Sequence, residues 1–366
     1  MHIRSSRKLK GTYLTTPSSE LVAVGPGHST RVMALIGNNS RGSHSIQLAK
    51  LDALSAMRRG PEVVADLSIT RNTPELLPEI ISRGFVASAL PIYAVRKRDG
   101  RIDDQELLDR CRTLIELGAR VLTIHPTATP RLIGLAQKRM VPWTSRGGGI
   151  VIRDLISGAG TDNAYQRIMP ALASMAKAKD VVLSIGASFR SANIFDSFDQ
   201  TQQEEIRSQI TLADGLVAEG VMVIIESPGH AAPRSIQELS KVLAETGHPI
   251  MPLGPIPTDT AIGQDHISAA IGSALMGLAN AAHMLAAVTR EEHTGGVPSV
   301  ESTVEAVEAA RVSAHVIDLG LLLATEDDLE VASARAAAKT CVVDRGKAGC
   351  SRCADACPLI VDPRNL

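Results

Sequence analysis

Three cysteines lie close together near the C-terminal end of the sequence, in the run Cys350-Ser-Arg-Cys353-Ala-Asp-Ala-Cys357. Three thiolates in so short a span converge on one metal centre. When three protein ligands hold a four-iron cluster, one iron stays open, and it can chelate the amino and carboxylate groups of S-adenosylmethionine and supply an electron to split it. The spacing therefore favours an iron–sulfur cluster over a zinc site, and an open iron of this kind would allow a radical reaction.

Other metal sites fit the same thiols. With Cys341 as a fourth ligand, the cysteines would hold a structural zinc ion or close an electron-transfer cluster. Surface cysteines that share no metal are the remaining alternative. All of the five cysteines except Cys111 lie at or beyond position 341. Because a disulfide framework would be spread over a small secreted domain, this crowding favours a reducing cytoplasm.

A carboxylate and two histidines occur at the ends of predicted strands. The run Glu226-Ser-Pro-Gly-His230 closes one strand, and His293 follows the last one. The C-terminal ends of barrel strands face the active-site mouth. His230 and His293 could together bind a divalent metal that keeps open positions for a ligand. Taken singly, each histidine is more often a hydrogen-bonded loop residue.

A glycine-rich run, Thr144-Ser145-Arg146-Gly147-Gly148-Gly149, follows another predicted strand. Consecutive glycines let backbone N–H groups turn inward and form an anion nest, to which Ser145 and Arg146 add donors. The run predicts a phosphate site, although a flexible loop has the same composition. Further polar residues at strand ends are Asp66, Tyr93, His125 and Arg190.

Short β-branched runs alternate with helical patterns along the chain. The predicted strands are mostly apolar throughout, as expected when both faces are covered. They are Val32–Ile36, Val63–Leu67, Val86–Leu90, Val121–His125, Met140–Trp143, Val181–Gly186, Val221–Glu226, Ile250–Gly254 and His283–Val288. The predicted helices are Gln105–Leu117, Ser235–Thr246, Ile267–Ala281, Val300–Leu323 and Glu326–Lys339, with Gly118 and Gly247 as C-caps of the first two.

This alternation predicts an α/β fold, a (β/α)8 TIM-type barrel with a C-terminal helical, cysteine-bearing appendage. Nine strands are one too many, and we expect the first to be the spare one. A doubly wound open sheet is the alternative, but no Gly-x-Gly-x-x-Gly follows an early strand and polar residues end many strands. The expected divisions are an N-terminal arm over 1–30, the barrel over 31–322 and the cysteine-bearing segment over 323–366.

The composition argues against several classes of partner. The formal net charge is −1 and aromatic residues make up 2%, which disfavours nucleic acid and base stacking. No apolar run is long enough to span a bilayer, and none follows the basic residues at the start of the chain, which are Arg4, Arg7, Lys8 and Lys10. We expect a cytoplasmic protein with a solvated basic arm that binds neither nucleic acid nor membrane.

Several segments, taken in order, resemble those of a known family. They are Thr123-Ile-His125, Thr144-Ser-Arg-Gly-Gly148, Leu183-Ser-Ile-Gly186, Ile225-Glu-Ser-Pro-Gly-His230, Leu253-Gly-Pro255, Thr258-Asp259, Asp265-His-Ile267, Ala270-Ile-Gly272 and Glu292-His293. From about Val32 to Leu319 the chain resembles phosphomethylpyrimidine synthase, the thiamine-pyrimidine enzyme, and its sister 5-hydroxybenzimidazole synthase. The cysteine tail matches in kind, and the ordered set is highly specific although no single segment is.

The resemblance implies a radical S-adenosylmethionine carbon–carbon lyase that forms a 5′-deoxyadenosyl radical and rearranges 5-aminoimidazole ribonucleotide or a close analogue. It implies a homodimer whose cluster domain reaches the partner's barrel, an electron donor such as flavodoxin or ferredoxin, and a divalent metal, zinc or iron. By position, the substrate contacts would be Tyr93, His125, Ser145, Arg146, Gly147, Arg190 and Glu226. The metal ligands would be His230 and His293, and the 4Fe-4S cluster ligands Cys350, Cys353 and Cys357.

The departures from the family lie mainly among the substrate contacts. Ala187-Ser-Phe-Arg190 stands where the family has Asp-Gly-Leu-Arg, so a substrate-binding carboxylate is missing. Gln264 replaces a tyrosine, Ser227 replaces a glycine, and the cluster motif is one residue short between Cys353 and Cys357. Loss of a hydrogen-bonding carboxylate leaves former partners unpaired, which costs roughly 1–3 kcal/mol of binding. The radical machinery is therefore predicted to persist while the substrate or product has changed.

Functions of different classes remain open at this point. The first is the radical rearrangement of an imidazole nucleotide to a thiamine-pyrimidine phosphate, or to a 5-hydroxybenzimidazole-type product that serves as a cobamide lower ligand. The second is a non-radical metal-dependent lyase or hydrolase, with Glu226 as base and the histidine-bound metal as Lewis acid. The third is a nucleotide-binding relative whose catalysis has decayed.

Overall fold

The computed structural model describes residues 11–69, 73–95, 97–158, 160–341, 352–353 and 356–360. Cys350 and the basic residues of the predicted solvated arm lie outside these ranges. The strands in the described part are β1 (Thr12–Thr15), β2 (Leu21–Val24), β3 (Arg31–Ile36), β4 (Val63–Asp66), β5 (Val86–Ala89), β6 (Lys97–Arg98), β7 (Arg101–Ile102), β8 (Val121–Ile124), β9 (Val182–Ile185), β10 (Val223–Glu226), β11 (Ile250–Met251) and β12 (Met284–Ala286).

Helices follow most of these strands and cover the outside of the sheet. They are α1 (His44–Ser55), α2 (Leu77–Ser82), α3 (Asp104–Glu116), α4 (Pro130–Ala136), α5 (Arg146–Gly158), α6 (Ala164–Ala178), α7 (Gln200–Ala218), α8 (Pro233–Ala244), α9 (Asp265–Gly277), α10 (Val300–Leu322) and α11 (Glu326–Ala338). The predicted C-caps Gly118 and Gly247 adopt positive φ angles of 102° and 69°, as a residue that ends a helix often does.

Eight strands form one parallel sheet in the order β11-β10-β9-β8-β5-β4-β3-β12. The two edge strands meet where the His283 N–H donates to the Ile250 carbonyl oxygen at 2.9 Å. The sheet therefore curls into a nearly closed barrel with helices outside. This confirms the predicted TIM-type (β/α)8 fold and excludes the open doubly wound sheet.

The barrel strands are apolar on both faces because each face packs against a different core. On β9, Val182 points into the barrel interior and Leu183 points outward to the helices. Ile224 and Ile225 on β10 alternate in the same way. This two-sided burial explains why the strands appear in the sequence as continuous apolar runs.

A hairpin closes the N-terminal end of the barrel, where the sequence predicted no strands. β1 and β2 pair antiparallel, and Leu14 and Val24 join the interior core. The Thr12 hydroxyl donates to the Val223 carbonyl oxygen at 2.8 Å, at the start of β10. The part of the predicted arm that the structure describes is thus packed under the barrel.

The predicted strand Met140–Trp143 is wrong, and it is the spare one. This segment is a loop in which the N–H groups of Met140 and Val141 each donate to the Asp196 carboxylate at 3.1 Å. Pro142 offers no N–H to a ladder, so side-chain acceptors replace strand pairing. The first predicted strand, which we expected to be spare, is β3 and pairs with both β4 and β12.

The two predicted C-terminal helices are present as α10 and α11. The start of β3 is tied to α10, because the Thr30 backbone N–H and hydroxyl both donate to Asp318 Oδ1, at 2.9 and 2.7 Å. α11 buries none of its residues and meets α10 through the His315 and Asp328 side chains, at 2.6 Å. None of the helices in the described ranges has the length and apolar character needed to cross a bilayer.

Candidate active site at the barrel mouth

A cavity of about 210 Å³ opens at the C-terminal ends of the barrel strands, which is room for a small ligand rather than for single waters. The sequence-predicted residues that line it are Tyr93, His125, Ser145, Arg146, Arg190, Glu226, His230 and His293. Gly147 lies beside the His125 ring. Residues distant in sequence therefore meet at one mouth, because they lie at or after the C-terminal ends of the parallel strands β5, β8, β9, β10 and β12.

Glu226 ends β10 and is nearly fully buried at the side of the cavity. Two hydroxyl groups donate to its Oε1 atom, Ser184 at 3.1 Å from β9 and Thr123 at 3.2 Å from β8. Burial raises the pKa of the Glu226 carboxyl, while Arg190 and the two hydroxyl groups oppose that shift. A carboxyl in this balance is suited to accept a proton from a ligand in the cavity.

His125 follows β8 and is held as a neutral ring. Burial, helped by the nearby Arg190 guanidinium, lowers the pKa of His125 to about 3. Its Nδ1 atom has no hydrogen-bond partner among the described residues. A Cβ atom on Gly147 or Gly186 would overlap the imidazole, so only glycine at these positions leaves room for it. The ring is thus clamped between two backbone segments.

The glycine-rich run begins a helix rather than forming the free loop that its composition also allowed. Arg146 is the first residue of α5, and the Gly148 N–H donates to the hydroxyl of the preceding Ser145 at 3.1 Å. The Arg146 guanidinium carbon lies 5.5 Å from the centre of the Tyr93 ring, within cation–π range. A helix N-terminus with an arginine beside it favours an anionic group such as phosphate.

The His230 and His293 rings lie next to each other in the cavity wall. Their Nε2 atoms lie 3.0 Å apart. The Nδ1 atom of His230 is 2.6 Å from Asp259 Oδ1, and that of His293 is 2.6 Å from Asp265 Oδ1. When each Nδ1–H donates to its carboxylate, both Nε2 lone pairs point at the same space, an arrangement typical of histidine metal ligands with supporting carboxylates.

The two imidazole nitrogens of this pair are suitable ligands for a divalent cation, which would then have two protein ligands. Burial and the facing His293 ring lower the pKa of His230, which favours the neutral form that binds metals. In the described part of the chain, however, no group of three or more His, Cys, Asp or Glu side chains is arranged to hold a metal ion. Any further ligands would have to come from solvent or substrate.

Several polar residues of the site were missed at the level of sequence. Asp259 and Asp265 were part of the ordered family segments, but no role was predicted for them. Thr123 and Ser184 each stand as the single polar residue in an apolar strand, a signal that could have marked them. The hydroxyl of Ser191 donates to the His230 carbonyl oxygen, so the β9 and β10 loops are bonded together.

Two of the substituted family positions, Ala187 and Gln264, lie close in sequence to residues of this site. Ala187 is buried in the loop between β9 and Arg190 and offers no polar group. Gln264 immediately precedes α9, and its carbonyl oxygen accepts from the N–H groups of Ile267 and Ser268.

The cysteines are described only in part. Cys341 and Cys353 are exposed free thiols, Cys357 is a half-buried one, and Cys350 lies outside the described residues. Cys111 is buried in the barrel wall, and burial raises its pKa to about 12, so it stays a protonated core thiol. The donor set of the tail is soft thiolate sulfur, which fits an iron–sulfur cluster.

Comparison with known proteins gives consistent matches over most of the chain. The sequence model of the Radical SAM ThiC family matches residues 13–359. The 5-hydroxybenzimidazole synthase BzaA of Moorella thermoacetica is 32% identical over 330 residues, covering 86% of this chain and 75% of that protein. The phosphomethylpyrimidine synthase of Thermodesulfovibrio yellowstonii is 33% identical over 331 residues, with 86% and 76% covered. Phosphomethylpyrimidine synthase 1 of Saccharolobus solfataricus is 30% identical over 327 residues, with 85% and 74% covered.

Proposed function

The chain belongs to the Radical SAM ThiC family, and from this membership and the barrel-mouth geometry we propose that it rearranges 5-aminoimidazole ribonucleotide, or a close analogue, by radical chemistry. Relatives in this family are enzymes named phosphomethylpyrimidine synthase and 5-hydroxybenzimidazole synthase. The observation that carries the proposal is the convergence of the predicted contacts on one small cavity. The expected product is a thiamine-pyrimidine phosphate or a related heterocycle.

Cys350, Cys353 and Cys357 are the proposed cluster ligands, and Cys341 is left out of the set. When bound, the cluster and S-adenosylmethionine supply a 5′-deoxyadenosyl radical by one-electron cleavage, with methionine as the other product. Three thiolates are the donor set that keeps one iron free for this cofactor. The cluster segment, proposed to span 323–366 after a barrel over 31–322, would act at the partner's barrel in a homodimer and take its electron from a flavodoxin or ferredoxin.

The substrate contacts follow from the chemistry of the cavity wall. The N-terminus of α5 with Ser145, Arg146 and Gly147 would bind the phosphate, next to the Tyr93 ring. The neutral His125 ring can form a hydrogen bond with the substrate without adding a positive charge to the cavity. Arg190 favours the ionised form of Glu226, which is the proposed acceptor of a substrate proton.

His230 and His293 are the proposed ligands of a divalent metal, zinc or iron. The facing Nε2 atoms and the two supporting carboxylates favour this assignment. Such a cation would polarise and orient a substrate group at the cavity mouth.

A 5-hydroxybenzimidazole-type product is the second candidate. It is supported by the 32% identity to the Moorella enzyme, which is comparable to the 30–33% identity to the phosphomethylpyrimidine synthases, whereas Ala187 departs from the family pattern as a whole. Both products would arise from the same radical and the same nucleotide. Which product forms would therefore depend on how the site holds the reacting intermediates.

The experiment is product analysis by mass spectrometry after anaerobic incubation with S-adenosylmethionine, dithionite and 5-aminoimidazole ribonucleotide. We expect 5′-deoxyadenosine together with a new heterocycle whose mass assigns the branch. Hydroxymethylpyrimidine phosphate at the usual family rate would refute an altered substrate or product. Nucleotide binding without 5′-deoxyadenosine would indicate decayed catalysis, and turnover of the nucleotide without iron would indicate the metal-dependent lyase.

A further inference from the structure

Several polar side chains of α7 are buried, and two of them, Glu205 and Gln209, lie in the middle of the face that packs against the barrel. Glu205 and Gln209 are each only 1% exposed and lie one helical turn apart, so they share this face. A helix covering a barrel usually buries apolar residues there, because a buried carboxylate costs free energy unless it is hydrogen-bonded. The partners of these two side chains therefore indicate what the polar face does.

Gln209 bonds to the C-terminal ends of two neighbouring strands. Its Nε2 atom donates to the Ile185 carbonyl oxygen at 2.8 Å and to the Glu226 carbonyl oxygen at 2.9 Å. Ile185 ends β9, and Glu226 ends β10. One amide group thus fixes the relative position of β9 and of the residue proposed to accept the substrate proton.

Glu205 bonds to the loops that follow β8 and β9. Its Oε1 atom accepts from the Thr127 hydroxyl and from the Ser188 N–H, both at 2.6 Å, and its Oε2 atom accepts from the Phe189 N–H at 2.9 Å. Thr127 lies two residues after His125, and Phe189 directly precedes Arg190. A single carboxylate therefore holds together the two loops that carry these cavity residues.

The same loop is held from its other side by Arg139. This guanidinium donates from Nη1 to the Phe189 carbonyl oxygen at 2.6 Å and from Nη2 to Asp199 Oδ1, also at 2.6 Å. Asp199 in turn caps α7 by accepting from the Gln202 N–H at 2.9 Å. The backbone before Arg190 is thus bonded through both its N–H and its carbonyl groups to one rigid helix.

We propose that Glu205 and Gln209 are positioning residues. Because both lie on α7, they fix the positions of His125, Arg190 and Glu226 relative to one another around the substrate. Neither side chain lines the cavity, so both act through the backbone of the residues that do. The inference rests on the proposed function only for what His125, Arg190 and Glu226 contact. The bonds themselves involve no ligand.

The first test is hydrogen exchange on the ligand-free protein, comparing wild type, Glu205→Gln and Asp154→Asn. Asp154 is a matched control, because it is an equally buried carboxylate that accepts from the Ile102 and Ala164 N–H groups, at 2.8 and 3.0 Å, and it does not line the cavity. Glu205→Gln should speed exchange of the Ser188 and Phe189 amides about tenfold to hundredfold, because an amide oxygen cannot accept all of the hydrogen bonds that the two carboxyl oxygens accept. Asp154→Asn should leave these two amides unchanged.

Equal exchange of the two amides in wild type and Glu205→Gln, or the same increase in the control, would overturn the proposal. Should Glu205→Gln fail to fold, two milder variants replace it. Thr127→Val removes one donor to Glu205, and Gln209→Met removes the amide at nearly constant volume. Each should speed amide exchange in the loop or strand end that the substituted side chain contacts. In the active enzyme, Glu205→Gln should raise KM for 5-aminoimidazole ribonucleotide by about tenfold or more, whereas Asp154→Asn should not. If the wild type does not act on this nucleotide, the proposed function fails, while the exchange result still decides the positioning role.

Discussion

The Nε2 atoms of His230 and His293 lie 3.0 Å apart, and each ring is turned toward the other by a carboxylate 2.6 Å from its Nδ1 atom. Two neutral imidazoles with their acceptor nitrogens this close repel unless a proton or a cation lies between them. The carboxylates come from the loop before α9 and from its first residue, so one short segment sets both ring orientations. This arrangement makes the pair the best candidate metal site in the described part of the chain.

Asp259→Asn is predicted to weaken metal binding at this pair. An amide in place of the carboxylate no longer fixes the His230 tautomer, and loss of such a partner typically costs about 10–100-fold in metal affinity. Titration calorimetry with zinc on the purified protein measures the effect. Asp214→Asn is the control, because Asp214 makes a similar pair with His248 at 2.9 Å that does not line the cavity. Equal zinc affinity in Asp259→Asn and wild type would contradict the assignment.

The double variant Thr123→Val with Ser184→Ala removes both hydroxyl groups that donate to Glu226. It is predicted to raise the pKa of the Glu226 carboxyl further. The two hydrogen bonds lower the pKa, since they stabilise the ionised form. If ionised Glu226 takes up the proton, the acid limb of the rate profile moves to higher pH by about one unit. The pH dependence of nucleotide consumption measures this.

Ser88→Ala is the matched control for the hydroxyl variants. Ser88 is a buried serine on β5 whose hydroxyl has no hydrogen-bond partner within the described ranges. Its removal should leave the acid limb where it is. A profile that does not move in the double variant would show that the two hydroxyl groups do not tune Glu226.

Gly147→Ala is predicted to displace the His125 ring. The added Cβ would overlap the imidazole, and crowding of this kind costs roughly 1–3 kcal/mol, which corresponds to about tenfold to hundredfold in nucleotide affinity. Calorimetric binding of 5-aminoimidazole ribonucleotide is the measurement. The control is Gly134→Ala on α4, where a Cβ meets no neighbouring atom within 4 Å. Unchanged affinity in Gly147→Ala would mean that the clamp on His125 has no functional consequence.

The buried carboxyl of Glu205 predicts a pH-dependent stability. Burial raises its pKa from 4.5 to about 7, so the folded protein holds this proton more tightly than the unfolded chain does. The contribution of Glu205 to the free energy of unfolding therefore falls as pH rises from about 4.5 to about 7, by on the order of 3 kcal/mol, and stays constant above that. Urea unfolding of wild type and Glu205→Gln across this range measures the effect: the difference between their free energies of unfolding should change by about this amount, because all other titrating groups are common to both, and parallel curves would refute it.

The barrel was predictable because its strands are buried on both faces and its turns are marked by glycine and proline. The polar ends of these strands located the mouth, since parallel strands bring their ends to one rim. The segment Met140–Trp143, in contrast, was wrongly predicted as a strand. Its apolar composition matches a strand, but Met140 and Val141 are exposed and their N–H groups donate to the distant Asp196 side chain.

The residues that hold the site in place from behind could not be predicted in the same way. Glu205 and Gln209 lie in a helix rich in glutamine and glutamate, where nothing local marks these two as buried. Their partners are backbone groups of residues such as Ile185 and Phe189, which carry no sequence signal for hydrogen bonding. The packing of β1 and β2 under the barrel likewise depends on contacts with strands far along the chain.

The most direct test is formation of 5′-deoxyadenosine by the anaerobically reconstituted protein supplied with S-adenosylmethionine and dithionite. We expect about four iron and four sulfide per chain, and 5′-deoxyadenosine formation that is lost in Cys353→Ser and retained in Cys341→Ser. A wild-type protein that binds no iron, or a Cys353→Ser variant that forms 5′-deoxyadenosine at the wild-type rate, would contradict it.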